Sequence, residues 1–187
     1  MRWDALFRDM EAQLAAAAGL AAETEISDRV RMELRGISLQ DRLRSQGGKQ
    51  LVFDLGTAGM LRGALKHVGD GWVALEQEHG AALAVLSHVV AIRGMDRFAS
   101  PPPGKVRLGV TSALRGIARD RSAVVVRSAG VPAEAALNGT IDRVGSDFLE
   151  LAAVPSDQPR RSANVTGVYV LPIATVAAVL SQRNGWE

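Results

Sequence analysis

A fifteen-residue stretch that occurs twice constrains this chain more than any other feature. Leu61-Arg-Gly-Ala-Leu-Lys-His-Val-Gly-Asp-Gly-Trp-Val-Ala-Leu75 returns as Leu137-Asn-Gly-Thr-Ile-Asp-Arg-Val-Gly-Ser-Asp-Phe-Leu-Glu-Leu151. Both copies read Leu-x-Gly-x-Leu/Ile-x-x-Val-Gly-x-x-aromatic-aliphatic-x-Leu, which predicts a bent strand, a tight polar turn and a second strand with its apolar residues on one face. A duplicated hairpin has two equivalent apolar faces to bury, so two small β units are expected. With 187 residues, 47% of them apolar, the chain has enough material for both cores.

The first unit is expected over residues 47–98. Gly47-Gly48 stops a preceding helix, and strands are predicted at 50–54, 60–66, 72–77, 83–86 and 89–92, with Gly-centred turns at 56–59 and 69–71. A linker follows at 99–110. Its Ser100-Pro-Pro-Pro-Gly104 core is stiff, because each proline fixes φ and removes a backbone donor. The second unit, 111–182, opens with a helix over 111–120, where Leu114, Ile117 and Ala118 have helical spacing. Strands follow at 124–127, 137–142, 148–152, 168–171 and 176–180, and a polar surface loop is inserted at 155–164.

Ahead of both units, residues 1–46 carry a helical pattern. Trp3, Phe7, Met10 and Leu14 recur at three- and four-residue intervals, and Gly19 marks a point of bending or breaking. A helix of this length cannot bury its stripe on itself. The stripe therefore reads either as a partner-binding or dimerising surface or as packing against the body of the protein.

Composition narrows the function classes. Twenty-two Lys and Arg against 20 Asp and Glu give a formal charge of +2, too small for a broad cationic field toward nucleic acid or membrane. The chain has no cysteine, which removes disulfides, thiolate metal sites and cysteine nucleophiles. Acidic Asp4, Asp9 and Glu11 interrupt the N-terminal segment, and the Ala-rich run at 14–22 is well short of the ~20 apolar residues that cross a bilayer. A cytoplasmic, non-membrane protein is expected. His67, His79 and His88 show no metal-ligand spacing, and Ser87-His88 lacks a third partner. No catalytic residue, metal or cofactor is assigned, and the chain is expected not to be an enzyme.

A short helix followed by five curved strands, with a glycine in the second, resembles the Sm-like fold of the Sm, LSm and Hfq-like proteins. The second unit carries the resemblance best. Residues 137–149 resemble the family's Sm1 strand pair, and Val168-Tyr-Val-Leu-Pro-Ile-Ala-Thr-Val176 resembles the corner between strands four and five. The resemblance implies an α+β, mainly β chain: an N-terminal α-helix plus two tandem Sm-like or SH3-like five-stranded β-barrels. It also implies pairing through edge strands, as in Sm rings. The family's RNA-binding groups are replaced. Gly69 and Gly145 stand where the family has aspartate, Val73 and Leu149 where Sm proteins have the uracil-reading asparagine, and Val170 and Leu171 where Hfq-like proteins have a Lys-His pair. An apolar side chain offers no donor or acceptor to a base edge.

Basic residues do collect at Lys105, Arg107, Arg115, Arg119, Arg121 and Arg127, without aromatic residues nearby for stacking. The leading expectation is a non-enzymatic binding or assembly module that self-associates as a dimer or small oligomer, or binds a protein partner, through its N-terminal helix and edge strands. The alternative is an RNA- or DNA-binding protein that uses this patch.

Overall fold

The computed structural model describes residues 37–97, 108–155 and 164–181. The chain divides into two compact units, Met1–Leu39 and Gln40–Glu187, and the strands described below all lie in the second. The helix expected from Trp3 through Phe7, Met10 and Leu14 lies outside the described residues, as do most of the proline-containing linker and the inserted loop.

Among the described residues there are ten strands: β1 (Gln50–Asp54), β2 (Met60–Val68), β3 (Trp72–Gln77), β4 (Gly80–Val85), β5 (Ala91–Arg93), β6 (Val124–Ser128), β7 (Leu137–Val144), β8 (Phe148–Ala153), β9 (Gly167–Pro172) and β10 (Val176–Ser181). Helix α1 (Leu39–Arg44) precedes the first five and α2 (Val110–Asp120) the second five. The protein is thus mainly β, with few helices. Arg121 ends α2 in the left-handed region at φ 52°, where its amide donates to the Ala118 carbonyl.

The duplication is reproduced down to individual hydrogen bonds. The Gly69 amide donates to the Trp72 carbonyl at 2.9 Å, and the Gly145 amide to the Phe148 carbonyl at 2.8 Å. The Leu86 amide reaches the Gly71 carbonyl at 2.8 Å, and the Ile173 amide the Asp147 carbonyl at 2.7 Å. Register shifts fall at the same place in both repeats, between Leu65 and His67 in β2 and between Ile141 and Arg143 in β7. An extra residue bends its strand and sharpens the local twist, so each repeat curls around its own core. Gly63 and Gly139 allow the curl, because β3 and β8 backbone passes where a Cβ would stand.

Each repeat fills its own centre. Leu43 of α1 joins Leu51, Phe53, Leu61, Leu65, Val73 and Leu75 in one buried cluster, and Leu114 of α2 joins Val124, Val126, Ile141, Leu149 and Leu151 in another. At ~25 cal/mol per Å2, burial of each such leucine or phenylalanine contributes about 1.5–3 kcal/mol. β10 serves both cores: its Ala177 and Ala178 belong to the first, its Val176 and Val179 to the second.

The expectation of two closed barrels is corrected. All ten strands form one open antiparallel sheet in the order β5-β1-β2-β3-β4-β10-β6-β7-β8-β9. A strand has only two edges, and the outer edge of β4 is taken by β10, through Ala84↔Ala178, Leu83↔Val179 and Ala82↔Leu180. β4 therefore cannot also close onto β5. The two repeats are joined edge to edge, leaving β5 and β9 at the ends of the sheet.

Candidate assembly interface

The seam between repeats shows what one edge of this unit requires from the next. β4 and β10 pair over three residues, and Ser181 extends the contact: its hydroxyl accepts from the Ala81 amide at 2.7 Å and lies 3.2 Å from the Ala81 carbonyl, to which it donates. His88 Nε2 lies 2.9 Å from the Ala174 carbonyl, tying the corner after β4 to the corner before β10. Arg127 Nη1 reaches across to the Ala58 and Met60 carbonyls at 3.3 and 3.4 Å. Ala84 faces Ala178 and Ala82 faces Leu180, with Leu83 opposite Val179 between them.

The free ends of the sheet are the same two edges without their partners. Trp72 and Phe148 occupy one repeat position and face Val85 and Pro172, so Ala82, Leu83 and Ala84 of β4 correspond to Tyr169, Val170 and Leu171 of β9. Gly63 and Gly139 likewise align β1 with β6, and through them Ala91, Ile92 and Arg93 of β5 correspond to Ala178, Val179 and Leu180 of β10. Burial follows pairing at two of these positions: Ala82 and Leu83 are 2 and 5% exposed, whereas their counterparts Tyr169 and Val170 are 46 and 63% exposed. At the other end Val90 and Met60 are exposed, and Ala91 and Arg93 of β5 are too. Apolar surface thus lies at both edges that have no strand partner among the described residues, where a single exposed residue would need no explanation but a run does.

The basic patch is only partly gathered. Lys105 and Arg107 lie outside the described residues. Arg115 and Arg119 are exposed one turn apart on α2, with Asp120 beside them, and Arg121 is exposed at the helix end. Arg115 also donates to the Gly145 carbonyl at 3.0 Å. Arg127 is turned into the seam. The positions compared with the uracil-reading asparagine, Val73 and Leu149, are fully buried, one in each core. Gly69 and Gly145 lie against the rings of Trp72 and Phe148, so neither position has room for a side chain.

Elsewhere, a cavity of about 360 Å3 lies between α2 and the sheet, with Trp72, Ala74, Leu83, Ala113, Gly116 and Ile117 on its wall. Asp120 is its one charged lining residue among the described residues. No group of three or more His, Asp or Glu among the described residues has the arrangement to hold a metal ion. No described helix is long and apolar enough to cross a membrane.

Sequence reasoning pointed to edge strands but missed the residues that matter on them. The signal was the contrast between copies: β4 reads Ala-Ala-Leu-Ala where β9 reads Val-Tyr-Val-Leu, a change from small to large apolar residues at the edge without a partner. Comparison with protein-family models, with curated proteins and with solved structures finds no match.

Proposed function

We propose that the protein is a non-enzymatic assembly module made of two Sm-like units, and that its binding elements are the free edge strands β5 and β9. One observation carries this reading: Tyr169 and Val170 of β9 are 46 and 63% exposed, while their counterparts in β4, Ala82 and Leu83, are buried beside an added strand. Strand addition supplies main-chain hydrogen bonds for affinity and alternate side chains for specificity. Each half has the strand order expected of a five-stranded Sm-like sheet with its fifth strand beside its first, which supports the family resemblance.

The second reading, nucleic-acid binding, draws on Arg115 and Arg119, exposed on one face of α2. The two readings part on salt and on mutation. Edge-strand association is expected to change little between about 50 and 200 mM salt and to be lost on Val170→Lys. Phosphate binding is expected to weaken steeply over the same range and to be lost on Arg115→Ala/Arg119→Ala. Titration of the full chain against mixed-sequence RNA, alongside its self-association, decides: RNA binding that survives Val170→Lys and falls with salt overturns the assembly reading.

A further inference from the structure

We infer that the partner of β9 is β5 of a second copy of this chain, added in the same direction and the same register as the internal seam. The inference rests on the edge-strand reading above and names its partner.

The chain contains one worked instance of the contact. Its fourth-strand edge, β4, receives the fifth-strand edge of the other repeat, β10, antiparallel, through Ala84↔Ala178, Leu83↔Val179 and Ala82↔Leu180. Once those two edges are used, one edge of each kind is left without a strand partner among the described residues: β9, the fourth strand of the second repeat, and β5, the fifth strand of the first. The repeat correspondence then fixes the intermolecular register as Leu171↔Ala91, Val170↔Ile92 and Tyr169↔Arg93. Val170 meets Ile92, an apolar pair across the strands. Tyr169 meets Arg93, which is exposed and, among the described residues, has the Met60 sulfur at 3.4 Å as its hydrogen-bond contact.

Such a contact is heterologous, because two different surfaces meet. Heterologous contacts repeat from chain to chain and end only when a ring closes. A closed ring would therefore contain an even number of repeats, two from each chain. A symmetric β9-to-β9 contact would instead stop at two chains and leave β5 unused. An antiparallel partner that covers β9 also disposes of its row of unpaired backbone groups, which an edge strand otherwise leaves open to uncontrolled pairing.

The test is the mass of the full-length chain in solution, by sedimentation or light scattering, for wild type and three variants. Wild type is expected to be heavier than a single chain. Tyr169→Arg sets like charges opposite each other and is expected to weaken association about fivefold or more. Tyr169→Arg/Arg93→Glu restores opposite charges at the same pair and is expected to recover most of the loss. Val170→Lys, at a residue 63% exposed in the single chain, serves if Tyr169→Arg alters the fold by circular dichroism. A wild-type chain that stays monomeric up to roughly 100 μM overturns self-pairing and leaves the edge-strand reading standing. Association that survives both Tyr169→Arg and Val170→Lys overturns both. Association lost on Tyr169→Arg but not recovered by Arg93→Glu overturns the register, and with it the inference.

Discussion

Replacing Gly139 by alanine should destabilise the fold although it removes no contact. Gly139 lies in β7 opposite Ala153, within the curl that follows the repeat's first strand. A Cβ built there would stand 2.9 Å from the Ala152 carbonyl carbon and 3.1 Å from the Ala153 Cα, with the Ala152 carbonyl oxygen nearer still. Those atoms are backbone inside a hydrogen-bonded ladder, so no side-chain rotation relieves the overlap. β7 and β8 must part by several tenths of an ångström or more at a point where the second core is closed. Overpacking of this kind costs about 1–3 kcal/mol, and the rigid neighbour argues for the upper half of that range. For a folded unit of this size, about 2–3 kcal/mol lowers the Tm by roughly 4–12 °C. Gly63→Ala should behave alike, since its Cβ would meet the Glu76 carbonyl carbon and the Leu75 Cβ, each at 3.1 Å, and the Glu76 carbonyl oxygen within that distance. Thermal unfolding followed by circular dichroism measures the change. A Gly139→Ala protein as stable as wild type would refute the claim that close backbone approach, rather than chain flexibility, explains the glycine.

Gly116→Ala should have the opposite sign. The site lies inside α2 with nothing within 4 Å of a built Cβ, so restricting the unfolded chain should stabilise by about 0.4–1 kcal/mol, read from the same unfolding curves. Leu83→Ala and Val170→Ala change corresponding positions and should differ sharply. Leu83 is 5% exposed beneath the seam and its truncation should cost about 2–5 kcal/mol, while Val170→Ala should shift denaturant unfolding of the monomer by no more than about 0.5 kcal/mol.

The hairpins were legible because their signals are local. Alternating apolar residues and Gly-centred turns placed β3 at Trp72–Gln77 and β1 at Gln50–Asp54 with the bounds the structure shows. β2 and β7 run two residues past the expected ends because a bulge at each lets pairing resume after the alternation breaks. β4 begins at Gly80, which a sequence reading assigns to the turn; its φ of 132° is open to glycine, and it starts the ladder opposite Gln77. The union of the repeats into one sheet was not legible. It is made by main-chain groups of β4 and β10, which every residue carries, and its side-chain trace is only a run of alanines at Ala81, Ala82, Ala84, Ala177 and Ala178. Arg127 shows the same limit: its charge suggested a phosphate contact, whereas its place next to the seam gives it two carbonyls of the other repeat.

Because the chain has no cysteine, one engineered pair tests the central claim directly. Facing residues on antiparallel strands bring their Cβ atoms within about 4.5–5.5 Å, close to what a disulfide spans, and a slip of one residue turns a side chain to the opposite face. Under mild oxidation, Tyr169→Cys/Arg93→Cys is predicted to give covalent multimers on denaturing gels, and Val168→Cys/Arg93→Cys to remain single chains. Equal cross-linking by the two pairs, or none from the first, would contradict a second copy added in the register of the internal seam.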